Sequence, residues 1–283
     1  MAAERSRSGS GNGPGRALVT GGGSGLGEAL VQRLVDEGWS VIVADRDAER
    51  AATVADALGE QALPLSMDVR EASDWAKAEE LVVSTFGGLD VLVNNAGVAT
   101  GGTLEESPIE DWQWVTDINL LGVVRGCRQF APMMRRQGSG HIVNVASFAG
   151  LAGAPGINAY GTIKAAVVAL SEQLRAELAP CGVSVSVLCP AFFRTRLMED
   201  FRSPNAEDDR RRVLRWMETS GVTAADVADQ VYRALLRPRF MILTHGNTRW
   251  AWRFKRFFPE LYFRMVRRTA ERMARKARER SGT

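Results

Sequence analysis

The sequence has few of the residues on which metal and nucleophile chemistry most often depend. Of its 283 residues, two are histidines and three are cysteines. The cysteines are odd in number and show no Cys-x-x-Cys or Cys/His ligand spacing, so we expect free thiols in a reducing compartment and no metal site. His141 opens an apolar segment and His245 follows another, which favours structural or surface roles. Zinc chemistry and histidine-based nucleophilic catalysis are therefore disfavoured.

Long apolar runs are also missing. No segment approaches the roughly 18 consecutive apolar residues that a membrane-spanning helix needs. The first residues, MAAERSRSGSGNGPG, are rich in Gly and Ser and lack the apolar core of a signal peptide. These absences predict a disordered tail over 1–15 and a cytoplasmic protein.

Short segments rich in Val, Ile and Leu alternate with segments of helical periodicity. The predicted strands are 17–20, 40–45, 62–68, 89–95, 140–147, 183–190 and 240–244. The predicted helices include 26–37, 48–58, 73–86, 112–136 and 158–179. Most of these strands show little polar alternation, which is typical of a parallel sheet covered on both faces. The alternation predicts a doubly wound α/β sheet in a single domain over 16–247.

A glycine-rich turn, TGGGSGLG over 20–27, joins the first strand to the first helix. Glycines allow the backbone to turn tightly and approach a pyrophosphate, and the new helix offers free N–H groups at the positive end of its dipole. Many glycine-rich turns are only turns, but this position in an α/β chain favours a nucleotide site. We expect cofactor contacts from Gly21, Gly23, Ser24, Gly25, Leu26 and Gly27.

Asp45 ends the second strand, where a carboxylate accepts hydrogen bonds from an adenosine ribose and repels a 2′-phosphate. NAD is therefore favoured over NADP, although Arg46 follows directly and leaves a phosphate contact open. Helix capping is the alternative role for Asp45, but Asp47 already occupies the capping position.

The third and fourth strands also end in residues suited to a nucleotide. Asp68 and Val69 follow the third strand, and an acid there suits an adenine amino group, although it also suits a strand-end turn. The fourth strand ends in NNAG, whose small and amide residues let the chain pass close to a ligand. From this segment we expect contacts by Asn95, Ala96 and Gly97.

The segment NAYGTIKAAV, 158–167, places Tyr160 and Lys164 four positions apart. Residues at this spacing lie on one face of a helix. A free phenol has a pKa near 10, and a neighbouring ammonium lowers it by favouring the phenolate. We therefore expect the pair to act as a general acid/base near physiological pH. The alternative is a half-buried tyrosine beside a solvated lysine.

These motifs occur in an order and at intervals that resemble the short-chain dehydrogenase/reductase family, in its single-domain branch. The resemblance spans 16–245 and includes Asn119 in DINLLG and Ser147 in IVNVAS. It implies a seven-stranded parallel Rossmann sheet with helices on both faces. It also implies that Ser147 bonds the substrate oxygen, Asn119 holds a relay water, and Lys164 holds the nicotinamide ribose beside Tyr160.

The segment after the sixth strand, CPAFFRTRL over 189–197, departs from the family pattern, which usually has Pro-Gly there. This chain has Pro190-Ala191, and Thr195 matches the threonine that touches the carboxamide in the family. The substrate contacts expected by resemblance are Ser147, Phe148, Tyr160 and Phe192. Apolar residues over 192–221 predict either a lid over a lipophilic pocket or an amphipathic surface helix.

The last segment, 249–283, extends beyond the usual family ending. It has twelve Lys or Arg residues and three Glu, a net charge of +9, in a chain whose formal net charge is +3. Interleaved aromatic residues predict a basic amphipathic helix over 248–283, and peripheral membrane contact, docking on a partner subunit, capping of the active site and plain packing on the domain all stay open. No recognition module supports a nucleic-acid partner.

The expected function is NAD(P)-dependent interconversion of an alcohol and a ketone or aldehyde, on an apolar small molecule. One alternative is a nucleotide-binding sensor or scaffold without turnover, and another is a dehydratase or epimerase of the same family. The phenol–ammonium pair argues against a protein that only binds. Family analogy implies a homodimer or homotetramer through helices 108–136 and 158–180.

Overall fold

The computed structural model describes residues 15–281, without the side chains of 273, 274 and 276–281. The tail expected over 1–15 thus lies outside the described residues, apart from Gly15.

Seven strands form one sheet in which every pair is parallel. They are β1 (Arg16–Thr20), β2 (Ser40–Asp45), β3 (Ala62–Ser66), β4 (Val91–Asn94), β5 (Gly140–Val145), β6 (Val183–Cys189) and β7 (Met241–Leu243). Their order is β3-β2-β1-β4-β5-β6-β7, so the winding reverses between β1 and β4. Ligands of such sheets bind at this reversal, outside the carboxyl ends of the strands.

Helices cover both faces of the sheet. They are α1 (Gly25–Asp36), α2 (Ala48–Leu58), α3 (Ala72–Phe86), α4 (Ile109–Thr116), α5 (Gly122–Gln137), α6 (Ala149–Ala152), α7 (Asn158–Leu178), α8 (Ala206–Glu218), α9 (Ala224–Leu236), α10 (Gly246–Phe257) and α11 (Pro259–Ser281). One core contains side chains of α3, α5 and α7, and the other contains side chains of α1, α2 and α9. The predicted doubly wound α/β fold is confirmed.

The strand sequences explain why both faces are covered. On β1, Leu18 points into one core, whereas Ala17 and Val19 point into the other. All three are fully buried. Because successive strand residues face opposite sides, a strand buried on both sides reads as an unbroken apolar run.

Two helical segments differ from the expectation. The helix predicted over 112–136 is divided into α4 and α5 by a π turn over Asp117–Leu121. The basic C-terminal segment forms two helices rather than one, because Pro259 has no backbone N–H and begins the second helix. We call α10 and α11 together the C-terminal hairpin. Within the described residues, no helix is both long enough and apolar enough to cross a membrane.

Candidate active site

The glycine turn between β1 and α1 is closed so tightly that side chains are excluded from it. Gly21 and Gly25 have φ angles of +62° and +57°, which favour glycine. A Cβ on Gly27 would lie 1.9 Å from the Gly21 carbonyl oxygen. Ser24, the residue before α1, makes no side-chain cap, so the N–H groups of the first helical turn stay available to a ligand. This cradle of backbone donors fits the pyrophosphate of a dinucleotide.

Thr20 joins this turn to the end of β4. Its hydroxyl accepts hydrogen bonds from the N–H groups of Asn95 and Ala96, both at 3.0 Å. The Asn95 amide donates to the Thr20 and Gly21 carbonyls at 2.9 and 3.2 Å. The sequence prediction did not include Thr20, although a polar residue ending a buried strand was a usable signal.

The acid that ends β2 lies against the glycine turn. Asp45 accepts the Gly23 N–H at 3.0 Å and the Asp47 N–H at 3.1 Å. Asp47 caps α2 by accepting the Arg50 N–H, as expected. The Arg46 guanidinium pairs with Asp200, which follows β6. A carboxylate and an already paired arginine thus border the turn.

Asp68, after β3, is held by its neighbour Arg70. The guanidinium contacts both carboxylate oxygens at 2.6–3.0 Å, and this hydrogen bonding holds the pKa of Asp68 below its ordinary value. Val69 is buried and packs on Gly122, where a Cβ would lie 3.0 Å from a Val69 methyl carbon. These contacts lie on the same edge of the sheet as Asp45.

Tyr160, Lys164 and Ser147 meet where β5 ends beside the first turns of α7. The Lys164 ammonium lies 5.8 Å from the centre of the Tyr160 ring and donates to the Val145 carbonyl at 2.9 Å. The Ser147 hydroxyl is close enough to Tyr160 to act on the pKa of its phenol. The three side chains predicted to act together are therefore neighbours.

The pKa values differ from the expectation. Burial raises the pKa of Tyr160 above its ordinary value, the Ser147 hydroxyl lowers it only in part, and Lys164 is not among the causes of the shift. Burial also lowers the pKa of Lys164 to about 8. The prediction that Lys164 lowers the pKa of Tyr160 is therefore wrong for the protein alone.

Asn119 lies in the π turn and is fully buried. Its amide oxygen accepts the Val98 N–H and its amide nitrogen donates to the Val98 carbonyl, both at 2.8 Å. A Cβ on Gly97 would lie 3.1 Å from the Asn119 amide oxygen and 3.5 Å from the Lys164 nitrogen. The end of β4 thus reaches the catalytic candidates, and a π turn is frequent at functional sites.

The segment after β6 lies against the glycine turn. A Cβ on Gly25 would lie 3.7 Å from the Thr195 Cβ, and the Thr195 hydroxyl accepts the Leu197 N–H. Pro190 is buried, and its carbonyl accepts the Phe148 N–H at 2.8 Å. No non-glycine residue in 15–281 has a positive φ, so Ala191 occupies the usual glycine position without strain.

Three loops meet above these groups. The Gly101 N–H donates to the Arg202 carbonyl at 2.8 Å, and the Gly102 N–H donates to the Gly156 carbonyl at 2.9 Å. Phe148 is partly buried against the core, whereas Phe192 is exposed and its ring packs on Trp216 at 5.0 Å. The segment expected as a lid or a surface helix contains helix α8, and its apolar side chains are partly buried and partly exposed. Phe193, Met198 and Met217 are buried, and Leu214 and Trp216 are exposed.

The histidines and metal-ligand candidates lie apart from this arrangement. His141 is buried against the Ser186 hydroxyl at 2.8 Å, and burial lowers its pKa to about 4. His245 bonds with Ser220 and Thr244. Across the described part of the chain, His, Cys, Asp and Glu side chains form no group of three or more suited to a metal ion.

Comparison with known proteins identifies the family. A family model described as short chain dehydrogenase matches residues 16–206. The chain is also similar to the 3-alpha-(or 20-beta)-hydroxysteroid dehydrogenase of Mycobacterium tuberculosis. The two are 37% identical over 183 residues, which cover 65% of this chain and 70% of the relative.

Solved structures agree. A short chain dehydrogenase/reductase from Burkholderia phymatum in complex with NAD superposes with a TM-score of 0.83 and 33% identity, covering 88% of this chain and 95% of the other. A serine dehydrogenase complexed with NADP⁺ gives a TM-score of 0.75 and 29% identity, covering 81% of this chain and 93% of the other. The chain is an NAD(P)-dependent oxidoreductase of CH–OH donors and belongs to the short-chain dehydrogenase/reductase family.

Proposed function

We propose that the protein interconverts a lipophilic alcohol and its ketone or aldehyde, with Tyr160 as the general acid/base. The observation that supports this most is the convergence of Tyr160, Ser147 and Lys164 at the carboxyl edge of the sheet, beside the glycine cradle. A protein that only sensed a nucleotide would need the cradle but not the phenol.

When bound, NAD(P) would accept or donate the hydride, and its oxidised form would carry a positive charge. Ser147 donates a hydrogen bond to the substrate oxygen, and Tyr160 transfers the proton to or from that oxygen. Because burial raises the pKa of Tyr160, the phenol is protonated at neutral pH and suited to donate during ketone reduction. In the reverse direction, the positive charge of an oxidised nicotinamide would favour the phenolate, and Lys164 would hold the nicotinamide ribose beside the ring.

Asn119 holds the chain after β4 through its two hydrogen bonds with Val98. That contact places Gly97 next to Lys164. We propose that Asn119 supports the proton path from Lys164 toward solvent, as the family resemblance implies.

The substitution Tyr160→Phe tests the assignment. We expect the rate, followed at 340 nm with a 3α-hydroxysteroid and with cyclohexanol, to fall at least about 100-fold, while the Kd for NAD changes less than about twofold. Tyr232→Phe is the matched control, because the Tyr232 hydroxyl bonds Glu37 on the surface. A Tyr160→Phe enzyme that kept most of its rate would contradict the assignment.

The same assay separates the alternatives. A sensor or scaffold would bind NAD and give no change at 340 nm with any alcohol. A dehydratase or epimerase would form product, detected by mass spectrometry, without net change at 340 nm. The hydroxysteroid is chosen because one relative carries that activity in its name.

We propose NAD as the preferred cofactor. Support comes from the Asp45 carboxylate beside Gly23 and from Arg46, which already pairs with Asp200. A 2′-phosphate would be repelled by the Asp45 carboxylate and would have to compete with Asp200 for the Arg46 guanidinium. The variant Asp45→Ser should raise the ratio of kcat/KM for NADP to that for NAD by about tenfold, equivalent to ~1.4 kcal/mol. An unchanged ratio would contradict the preference.

We propose a homodimer or homotetramer through α4, α5 and α7. Support comes from a shallow cavity of about 610 Å³ on α4 and the π turn that leads into α5, which none of the catalytic candidates line. Its apolar rim includes the exposed side chains Ile109 and Leu121. The variant Ile109→Asp/Leu121→Asp should lower the mass measured by light scattering, and a wild-type monomer would contradict the proposal.

We also propose that the extension over 248–283, which packs on the catalytic domain, contacts an anionic membrane surface. Trp250 stacks on Phe254 and Phe258 packs against Phe254 with its ring tilted, at centroid distances of 5.1 and 5.6 Å. Trp250, Phe257, Phe258, Leu261 and Met265 are all at least half exposed. With the net charge of +9, this face suits lipid phosphates, whereas a second copy would bring like charges together.

Sedimentation with phosphatidylcholine vesicles, with and without phosphatidylglycerol, tests this contact. We expect the full chain to sediment only with the anionic vesicles. The variant Trp250→Ser/Phe257→Ser/Phe258→Ser should lose binding, and Val83→Ser/Leu104→Ser/Leu236→Ser, which replaces exposed apolar residues elsewhere, should keep it. Equal sedimentation with both vesicle types, or loss in the control variant, would refute the contact.

A further inference from the structure

The short helix α6 lies between the proposed catalytic groups and the C-terminal hairpin. It begins two residues after Ser147, whose hydroxyl accepts the Ala149 N–H at 3.1 Å. On one side it packs on α7 so closely that a Cβ on Gly150 would lie 2.6 Å from the Ala165 nitrogen. α6 therefore links Ser147 to α7, the helix that carries Tyr160.

The other end of α6 is bound by the C-terminal hairpin. A helix of four residues leaves its last carbonyls without partners in the helix. The Lys255 ammonium donates to the Leu151 carbonyl at 2.6 Å, and the Tyr262 hydroxyl donates to the Ala152 carbonyl at 2.9 Å. Residues more than one hundred positions away thus hold the end of the segment that begins at Ser147.

The surroundings of Lys255 fix its position. The ammonium lies 5.9 Å from the centre of the Tyr262 ring and 5.4 Å from that of Phe263. Trp252, three residues earlier, packs against the main core. The chain turns away from α6 at Gly153, where φ is +65° and a Cβ would lie 3.6 Å from the Lys255 nitrogen. The contact is enclosed by aromatic rings and a glycine rather than formed by two mobile surface groups.

We propose that the C-terminal hairpin positions the substrate-binding serine, with Lys255 and Tyr262 as positioning residues that act through α6. The proposal rests on the proposed function in one respect, that Ser147 bonds the substrate oxygen. Loosening α6 should then weaken substrate binding while leaving Tyr160, Lys164 and the glycine cradle in place.

The variants Lys255→Met and Tyr262→Phe test the proposal by removing the ammonium and the hydroxyl, respectively. Lys255→Arg keeps a cationic donor and serves as the rescue. Arg253→Met is the matched control, because it removes one positive charge from an exposed position of the same helix. All variants are made in the full chain.

Two readouts apply. Hydrogen exchange over 148–157 should be at least about tenfold faster in Lys255→Met than in wild type, because a hydrogen bond to a charged group is lost. The exchange rate over 148–157 should return to the wild-type value in Lys255→Arg and should equal the wild-type value in Arg253→Met. KM for the 3α-hydroxysteroid should rise about tenfold in Lys255→Met, with kcat within about twofold and the Kd for NAD unaffected.

The exchange readout requires no turnover, so a failure of the proposed function would leave it intact. Unchanged exchange over 148–157 in both Lys255→Met and Tyr262→Phe would overturn the proposal. An equal effect in Arg253→Met would also overturn it, since loss of charge alone would then explain the result.

Discussion

Two tyrosine–lysine pairs stand on either side of the segment that carries Ser147. Lys164 lies 5.8 Å from the ring of Tyr160, and Lys255 lies 5.9 Å from the ring of Tyr262. Each ammonium donates to a backbone carbonyl, that of Val145 before Ser147 and that of Leu151 after it. The same two residue types at the same separation thus hold both ends of one segment.

The two pairs differ in whether the tyrosine hydroxyl is available to exchange a proton with a substrate. The Tyr262 hydroxyl is committed to the Ala152 carbonyl, so it cannot exchange a proton with a substrate without breaking that bond. Tyr160 makes no such bond to a carbonyl in the described structure and stands near the Ser147 hydroxyl instead. A phenol beside an ammonium is therefore not by itself evidence for acid/base catalysis. The feature that separates the two tyrosines is whether the hydroxyl is committed to a backbone carbonyl.

The largest expected effect that separates the pairs is on catalysis. Lys164→Met should lower kcat/KM at least about 100-fold, because it removes a buried cation beside the proposed general acid and a donor to Val145. Lys255→Met should act on KM alone. Lys77→Met, which alters an exposed lysine on α3, is the control. Similar losses of kcat in Lys164→Met and Lys255→Met would erase the distinction between the pairs.

A smaller effect is expected between the pairs, where α6 packs on α7. Gly150→Ala should destabilise the protein by about 2 kcal/mol in urea unfolding, because the added methyl group meets helix backbone rather than a flexible side chain. Gly161→Ala, whose Cβ would lie 3.5 Å from its nearest neighbour, is the control and should be neutral or stabilising by up to ~1 kcal/mol. Equal effects in the two variants would mean that α6 can move away from α7 at little cost.

The first pair was predictable from sequence and the second was not. Tyr160 and Lys164 are four apart on one helix, so local geometry alone brings them together. Lys255 and Tyr262 reach Leu151 and Ala152 across 104 and 110 positions. No local rule specifies which distant carbonyl a basic helix will meet.

The difference between local and long-range contacts also explains why the fold was predictable while details of the site were not. The alternation of strands and helices and the glycine turn follow from local patterns of apolar residues and glycines, and the structure confirms the predicted doubly wound fold. The Arg46–Asp200 pair and the link from Thr20 to Asn95 depend on loops that meet only after folding. The raised pKa of Tyr160 was missed because spacing gives the neighbouring charge but not the burial that opposes it.

The smallest expected effect concerns the pH dependence of stability. Burial lowers the pKa of Lys164 to about 8 in the folded protein, from an ordinary value of 10.5. Between these values the unfolded chain binds one proton more than the folded chain at this site, so its contribution to stability rises with pH. The folded state carries the full cost of the buried charge below pH 8 and loses that cost as Lys164 deprotonates.

Between pH 8 and pH 9 the free energy of unfolding of wild type should therefore rise relative to that of Lys164→Met by about 1 kcal/mol. Taking the difference removes the contributions of Cys127 and Cys189, whose pKa values burial raises to about 12 and which act in the opposite direction. Wild type compared with Lys255→Met should show a smaller slope, because Lys255 is only partly buried. Urea unfolding at both pH values measures the slopes. A flat difference for Lys164→Met would mean that Lys164 keeps an ordinary pKa, and the two lysines would then differ in position but not in their electrostatic surroundings.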